Sequence, residues 1–406
     1  MTGLYICYWS FQDPLCQTQS LAYLRTLAKR GHKFALITFE QPQCKTTPTQ
    51  KKRIKRELQQ EGIAWYPLKY HKRFPMLATA YDCVRGILMG VWIALRHRPQ
   101  VIHSRSSVAS AMALAVANVC RLKFLYDADA TLSEEYTDHG HWSRDSGAFR
   151  VTAWVESQAR KRAHSIVVLS EKLRDDFRQE FGVSAPIEVI PCCVNVEAFQ
   201  FNQATRESCR RELGIVDERL FVYVGKAGTR SLVDEMFDFF KVAQARLGSP
   251  ARLLILSGEE PEVFHRIAEK RQVSHDHYSV KYVGRERVSR YLAASDAGLA
   301  FIRSARCERG SSPIKIGEYL AAGLPVVMTE RIGDYSEWVA QHDLGVVIGK
   351  LDEEHYAEAV KGLMEIWAKG NSFRTICRQF AETKISIETV GAPRYGKVYE
   401  GLLRDL

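Results

Sequence analysis

The sequence predicts an α/β protein made of two doubly wound parallel sheets, and three observations carry that prediction. Short apolar runs alternate with longer stretches of helical periodicity, the pattern of strands joined by crossover helices. The chain has 406 residues, more than one hydrophobic core accommodates, so about two or three domains are expected. The alternation breaks once, after Pro191, in a less regular stretch to about residue 218 that reads as a linker.

The elements follow in order. Leu4–Tyr8 reads as the first strand. A helix over Gln19–Arg30 follows, because Leu21, Leu24, Leu27 and Ala28 share a face and Gly31 can end it. Phe34–Phe39, Val101–His103, Phe124–Tyr126, Ser165–Leu169 and Ile187–Ile190 read as further strands, with helices around 107–120 and 150–163. The second series has strands at Leu220–Val224, Arg252–Leu256, Val280–Val283, Gly298–Ile302 and Val326–Met328, each trailed by a helix. Two such halves are expected to leave an interdomain cleft at the carboxyl edges of their strands, where doubly wound sheets bind ligands.

With 46% hydrophobic and 26% charged residues, the composition excludes a disordered tail or a collagenous fibre. Met1-Thr2-Gly3-Leu4-Tyr5 offers no basic leader or cleavage site, and the ten cysteines lack finger spacing, so reduced thiols in the cytoplasm are expected. The longest membrane-like run, Gly86–Leu95, falls short of the roughly 20 apolar residues that span a bilayer. A helix over 76–97 with Arg85 and Arg96 near its ends is either a packed domain helix or one lying on a membrane surface.

The net charge of +10 is unevenly spread. Residues 1–110 hold 17 Lys/Arg against 5 Asp/Glu, a local +12, which leaves −2 for the rest. Whatever the first quarter meets is therefore expected to be anionic. Its basic stretches, Lys51, Lys52, Arg53, Lys55 and Arg56, then Lys69, Lys72 and Arg73, admit three readings. They form a solvated face, a docking surface for an anionic membrane or diphosphate-lipid acceptor, or a nucleic-acid surface. The last is disfavoured because stacking aromatics are few in 45–60.

Ser311-Ser312-Pro313-Ile314-Lys315-Ile316-Gly317-Glu318 follows the Gly298–Ile302 strand. Ser312 as N-cap and Pro313 in the first turn start a helix whose free N–H groups form an anion site. Lys315 adds a charge in the first turn, and Glu318, one turn on, can accept hydrogen bonds from ribose hydroxyls. A second candidate wall is Gly225-Lys226-Ala227-Gly228-Thr229-Arg230, where glycines allow close approach and Lys226 and Arg230 supply charges for a pyrophosphate. It is not a P-loop, since no Gly-Lys-Ser/Thr closes it.

The 311–327 pattern, Ser-x-Pro-x-Lys-x-x-Glu-Tyr-Leu-Ala-x-Gly-x-Pro-Val-Val, resembles the donor-site signature of glycosyltransferase family 4, retaining enzymes of the GT-B fold. Leu27-Ala28-Lys29-Arg30-Gly31-His32, Ile190-Pro191-Cys192-Cys193-Val194-Asn195, Val283-Gly284, Ser295–Ala300 and Leu344–Val347 match it in order. Asp13-Pro14-Leu15 and His103-Ser104-Arg105-Ser106 look most like bacterial capsule and exopolysaccharide transferases. The resemblance implies two Rossmann-like domains, 1–198 for the acceptor and 199–387 for a nucleoside-diphosphate sugar, with the last helix (388–406) returning to the first domain. It implies a glycan or lipid-linked acceptor and an enzyme in the cytoplasm, peripheral on the inner face of the plasma membrane. By position, Lys226 and Arg230 would contact the diphosphate, Ser311, Ser312 and Ile314 would border it, Glu318 would hold the ribose, and Val283 and Gly284 would flank the base.

Two departures stand out. Gly310 occupies the position where the family often carries a second Glu, with Glu308 near but out of register. Asp127-Ala128-Asp129 replaces the His that many relatives place after that strand, and it superficially matches a metal-binding Asp-x-Asp. A helix-terminus phosphate site needs no metal, so none is expected. Retention implies attack from the face the diphosphate leaves, with the diphosphate taking the proton and Lys226, Arg230 and Lys315 stabilising charge. Asp127, His103 and Glu135 are the candidates for the sugar and acceptor side. A catalytically silent scaffold and a transferase acting on nucleic acid are the alternatives.

Overall fold

The computed structural model describes residues 1–42, 44 and 46–404. The chain divides into two compact units, Met1–Pro191 together with the chain from Ile387 on, and Cys192–Ser386. The first boundary lies at Pro191 rather than at 198, because Val194, Val196 and Phe199 are buried in the core of the second unit.

The first unit holds β1 (Gly3–Cys7), β2 (Phe34–Glu40), β3 (Ile63–Lys69), β4 (Val101–Arg105), β5 (Lys123–Ala128), β6 (Ser165–Val168) and β7 (Ile187–Val189). They form one parallel sheet in the order β3-β2-β1-β4-β5-β6-β7. Leu4, Ile6, Ile37, Ile102, Phe124 and Ile166 build the core on one face of it. The edge strand β3 was not foreseen. Its Ile63-Ala64-Trp65-Tyr66-Pro67-Leu68-Lys69 contains a proline, which an edge strand tolerates because one of its sides needs no ladder donor.

The expected helix at Gln19–Arg30 begins earlier, at Pro14, where the Asp13 carboxylate accepts from Leu15 N at 2.8 Å. A π-helical turn at Gln17–Leu21 then leads into helix Ala22–Lys29. Against that helix lies the last one, Ala392–Arg404, with the Tyr23 and Tyr395 rings 4.9 Å apart. The end of the chain thus completes the first unit, as anticipated.

Helix Pro75–His97 runs for 23 residues. By length and composition it is apolar enough to cross a membrane, which the ten-residue run at Gly86–Leu95 understated. The tight side of this helix is small. A Cβ on Gly86 would come within 2.1 Å of Met112 Sδ, and one on Gly90 within 2.8 Å of Val116 Cγ2, so helix Ser107–Cys120 lies close against it. Asp82, fully buried, accepts from Tyr8 Oη (3.1 Å) and His71 N (2.9 Å) and contacts His71 Nδ1 at 2.6 Å.

The second unit holds β8 (Arg219–Val224), β9 (Ala251–Leu256), β10 (Tyr278–Lys281), β11 (Ala297–Ala300), β12 (Val326–Thr329) and β13 (Gly345–Ile348), all parallel, in the order β10-β9-β8-β11-β12-β13. Part of the stretch read as a linker is helix Gln203–Glu212. Its Arg206 and Arg210 reach Asp296 at 2.6 and 3.2 Å, and Asp296 also accepts from Leu220 N at 2.8 Å. One buried carboxylate so joins this helix to the start of β8.

Candidate functional site

In the second sheet the strand order reverses between the neighbours β8 and β11, the place where open α/β sheets leave room for a ligand at their carboxyl ends. The loop leaving β8 carries Gly225, Lys226 and Arg230. The chain leaving β11 passes a 3₁₀ turn, Arg306–Gly310, into helix Ile314–Ala321. The two segments are stitched together by a bridge between Ser231 and Ile302 and by Arg303 N donating to Arg230 O at 2.9 Å.

Lys315 rises from the first turn of that helix with its Nζ 4.2 Å from the centre of the Tyr223 ring. Gly225 makes room for it. The backbone there has φ of +151°, and a Cβ would lie 2.7 Å from Lys315 Nζ. Burial, then repulsion from Arg230, brings the Lys315 ammonium down to about 7, with Glu318 pulling the other way. Two cations facing one space disfavour each other's charge, and an anion between them would reverse the effect.

Around this pair, polar groups stand without partners. Arg230 Nε and Ser311 Oγ are buried and make no hydrogen bond. Buried polar atoms are nearly always satisfied, so two orphans beside one helix start mark where a ligand's acceptors would fit. The N-cap is Pro313, not Ser312, and no side chain caps the helix. The Ser312 hydroxyl instead accepts from Cys192 N at 3.0 Å. The first-turn N–H groups of Ile314 and Lys315 are therefore not covered by a capping side chain, which suits an anion better than the expected serine cap.

Glu318, almost wholly buried, pairs with Arg285, the first residue of helix Arg285–Ala294 after Gly284. Burial raises its carboxyl above the ordinary range, and Arg285 offsets part of that rise. Arg285 was missed in the sequence, although it directly follows the quoted Val283-Gly284. Glu308 is the second surprise. The 3₁₀ turn carries this buried carboxylate to Arg230 Nη2 at 2.7 Å, so the residue out of register in sequence meets the expected phosphate-binding arginine in space. Lys226 is exposed and its carbonyl accepts from Tyr223 Oη at 2.7 Å. Val283 packs on the core edge, leaving Gly284 as the N-cap of the next helix.

In the first unit, His103 and Asp127 are corrected from substrate contacts to anchors of the C-terminal helix. Asp127 is fully buried and accepts from Arg105 Nη1 and Tyr395 Oη, each at 2.7 Å. His103, also buried, is 2.8 Å from Tyr399 Oη through Nδ1 and 3.6 Å from Asp127 through Nε2, beyond hydrogen-bond length. Arg105 outweighs burial to hold Asp127 below its ordinary range, whereas burial lowers His103, so an ionised carboxylate faces a neutral imidazole. Asp129 and Glu135 are partly exposed. Burial, with Asp127 and Glu135 adding to it against Arg105, lifts Asp129 to about 7. Because Arg105 lies 2.7 Å from Asp127 and 4.0 Å from Asp129, the charge facing both acids of the Asp-x-Asp run is a guanidinium.

Of the basic residues, Lys52, Arg53, Lys55 and Arg56 are exposed on helix Pro48–Gln60, whose Ile54 and Leu58 are buried. Lys69, Lys72 and Arg73 are exposed as well. Lys51 and Lys69 line a surface hollow of about 650 Å³ with Arg85.

Two family models match the chain. That of glycosyl transferase 4-like domains covers residues 16–193, and that of glycosyl transferases group 1 covers 205–381. TuaC of Bacillus subtilis (strain 168), whose name assigns it to teichuronic acid biosynthesis as a glycosyltransferase, is 26% identical over 269 residues. That match takes in 64% of this chain and 60% of TuaC, so it spans less than two thirds of the relative. Among solved structures, sucrose-phosphate synthase from Thermosynechococcus elongatus superposes with a TM-score of 0.77 at 15% identity, covering 100% of both chains. Anabaena HepE in complex with UDP and glucose gives 0.72 at 14% identity over 99% of each. At such identities these likenesses show the fold alone.

Proposed function

Since the chain belongs to the family 4 glycosyltransferases of the GT-B fold, we propose that it moves a hexose-type sugar from a nucleoside diphosphate to a glycan or lipid-linked acceptor, with retention of configuration. The observation that carries the reading is the set at the β8/β11 switch point: Lys315 held near pH 7 beside Arg230, an uncapped helix start, and the unpartnered Ser311 Oγ and Arg230 Nε.

The diphosphate would sit on the first-turn N–H groups with Lys315 and Arg230 on its oxygens, and the ribose would reach Glu318 and Arg285. As the glycosidic C–O bond breaks, negative charge grows on the diphosphate, and these fixed cations stabilise it more in the transition state than in the ground state. The same diphosphate oxygen would take the proton of the attacking hydroxyl. Two cations and a helix terminus supply that neutralisation without a metal. On the other unit, Asp129 and Glu135 are the carboxylates left to orient acceptor or sugar hydroxyls. The surplus positive charge of the first 110 residues fits an anionic acceptor at the cytoplasmic face of a membrane.

Thermal unfolding with UDP, ADP, GDP and their sugar conjugates tests this first. One donor should raise the melting temperature and be slowly hydrolysed, with both effects lost in Lys315→Ala and Glu318→Ala. No shift and no turnover with any of them would sink the reading. Binding without hydrolysis or transfer would instead favour a silent scaffold, which Gly310 and the Glu308–Arg230 pair independently motivate.

A further inference from the structure

Helix Pro75–His97 is built inside out. An ordinary surface helix buries its large aliphatic side chains and turns polar ones outward. Here the inner side packs through Gly86 and Gly90, while Leu77, Tyr81, Val84, Leu88, Trp92 and Leu95 point away. These six recur at spacings of three and four, so they share one face, and each is 52–74% exposed. Phe74 and Met76 extend the strip at its start. One exposed leucine needs no explanation, but a continuous strip along about six helical turns does.

The charges around the strip are of one sign. Exposed Lys72 and Arg73 precede the helix, and exposed Arg96 and Arg98 follow its last apolar residue. Arg85, on its flank, shares the surface hollow with Lys51 and Lys69. The helix has a single acid, Asp82, buried against Tyr8 and His71. A second copy docking on this face would bring arginines and lysines against their like, with no carboxylate on the helix face to receive them. Crossing the bilayer would tear Asp82 from its partners and the two glycines from Met112 and Val116.

We propose that this face docks in the interface of an anionic lipid bilayer, with the helix parallel to the membrane plane. The apolar strip sits among the tops of the acyl chains, and the flanking cations lie at the headgroup phosphates. The inference rests on the reading of a membrane-held acceptor, but its test needs no substrate. The full-length protein is floated with phosphatidylcholine vesicles, with and without phosphatidylglycerol. Wild type should float with the anionic vesicles, and Leu88→Asp/Leu95→Asp should lower its partition constant at least ~10-fold. Because both positions are exposed, the double variant should keep its melting temperature and any shift produced by nucleotide. Quenching of tryptophan by brominated acyl chains should fall in Trp92→Phe. The proposal is overturned if wild type ignores both kinds of vesicle, or if the double variant floats equally well, which would assign binding to the basic residues alone. Sedimentation showing a wild-type dimer that the double variant dissolves would overturn it in favour of self-association. Failure of every nucleotide to bind, with vesicle binding intact, would strike the transferase reading only.

Discussion

Lys315 ties the donor reading to a pH dependence. In the empty site its ammonium titrates near 7, and a diphosphate between it and Arg230 would raise that value. Nucleoside diphosphate should therefore bind with proton uptake, and its affinity should decline as pH rises from about 7 toward 9. Calorimetry in buffers of different ionisation enthalpy measures both effects. Lys315→Met should flatten the decline and weaken binding by roughly 10–100-fold at pH 7, the scale of a lost charge-assisted bond. Stability runs the opposite way. An unfolded lysine titrates far higher, so the unfolded chain holds the extra proton between about 7 and the ordinary lysine range. Wild type without ligand should gain stability with pH across that window, and Lys315→Met should lose this gain. Asp127 makes a second residue-level prediction. Asp127→Asn leaves Arg105 buried without a counter-charge and should cost ~3–5 kcal/mol in urea unfolding, because breaking a buried pair strands its partner. Tyr395→Phe, which removes one neutral donor, should cost about 1 kcal/mol.

Among the elements, most strands were legible because parallel strands buried on both faces read as short apolar runs. What escaped notice had a physical disguise. β3 carries Pro67 and ends in Lys69, so its sequence looks like a turn leading into a basic loop. Helix Gln203–Glu212 is polar nearly all round and buries Cys209, being held through arginines on Asp296 rather than through an apolar face. At the site, Lys315 and Glu318 were readable from their offset to a helix start, since helical geometry fixes where such residues point. Arg285 and Glu308 were not, because each pairs across a loop whose path no local periodicity encodes. The inside-out helix makes its own prediction. Gly90→Leu should force a side chain toward Val116 Cγ2, already 2.8 Å from a bare Cβ, and lower stability by about 1–3 kcal/mol in thermal or urea unfolding. Leu88→Ala, on the opposite side, should change it by less than about 0.5 kcal/mol.

For the whole molecule, the interrupted first unit matters most. Everything the donor site needs lies within one continuous segment, Cys192–Ser386, whereas the first unit depends on residues from both sides of it. Calorimetry should reflect this. A saturating nucleotide at 100 times its dissociation constant should stabilise the second unit by about 2.7 kcal/mol and shift its transition. Truncation after Ser386, by contrast, should destabilise the first unit by stripping Tyr395 and Tyr399 from Asp127 and His103. The same interruption sets an order of events during synthesis. The donor-binding segment has all of its chain before residue 387 is made and can close on the ribosome. Through that interval the first unit waits with Asp127, Arg105 and His103 uncovered and seals only when the final helix emerges. A nascent chain halted short of that helix would thus be ready for nucleotide while still a client for chaperones.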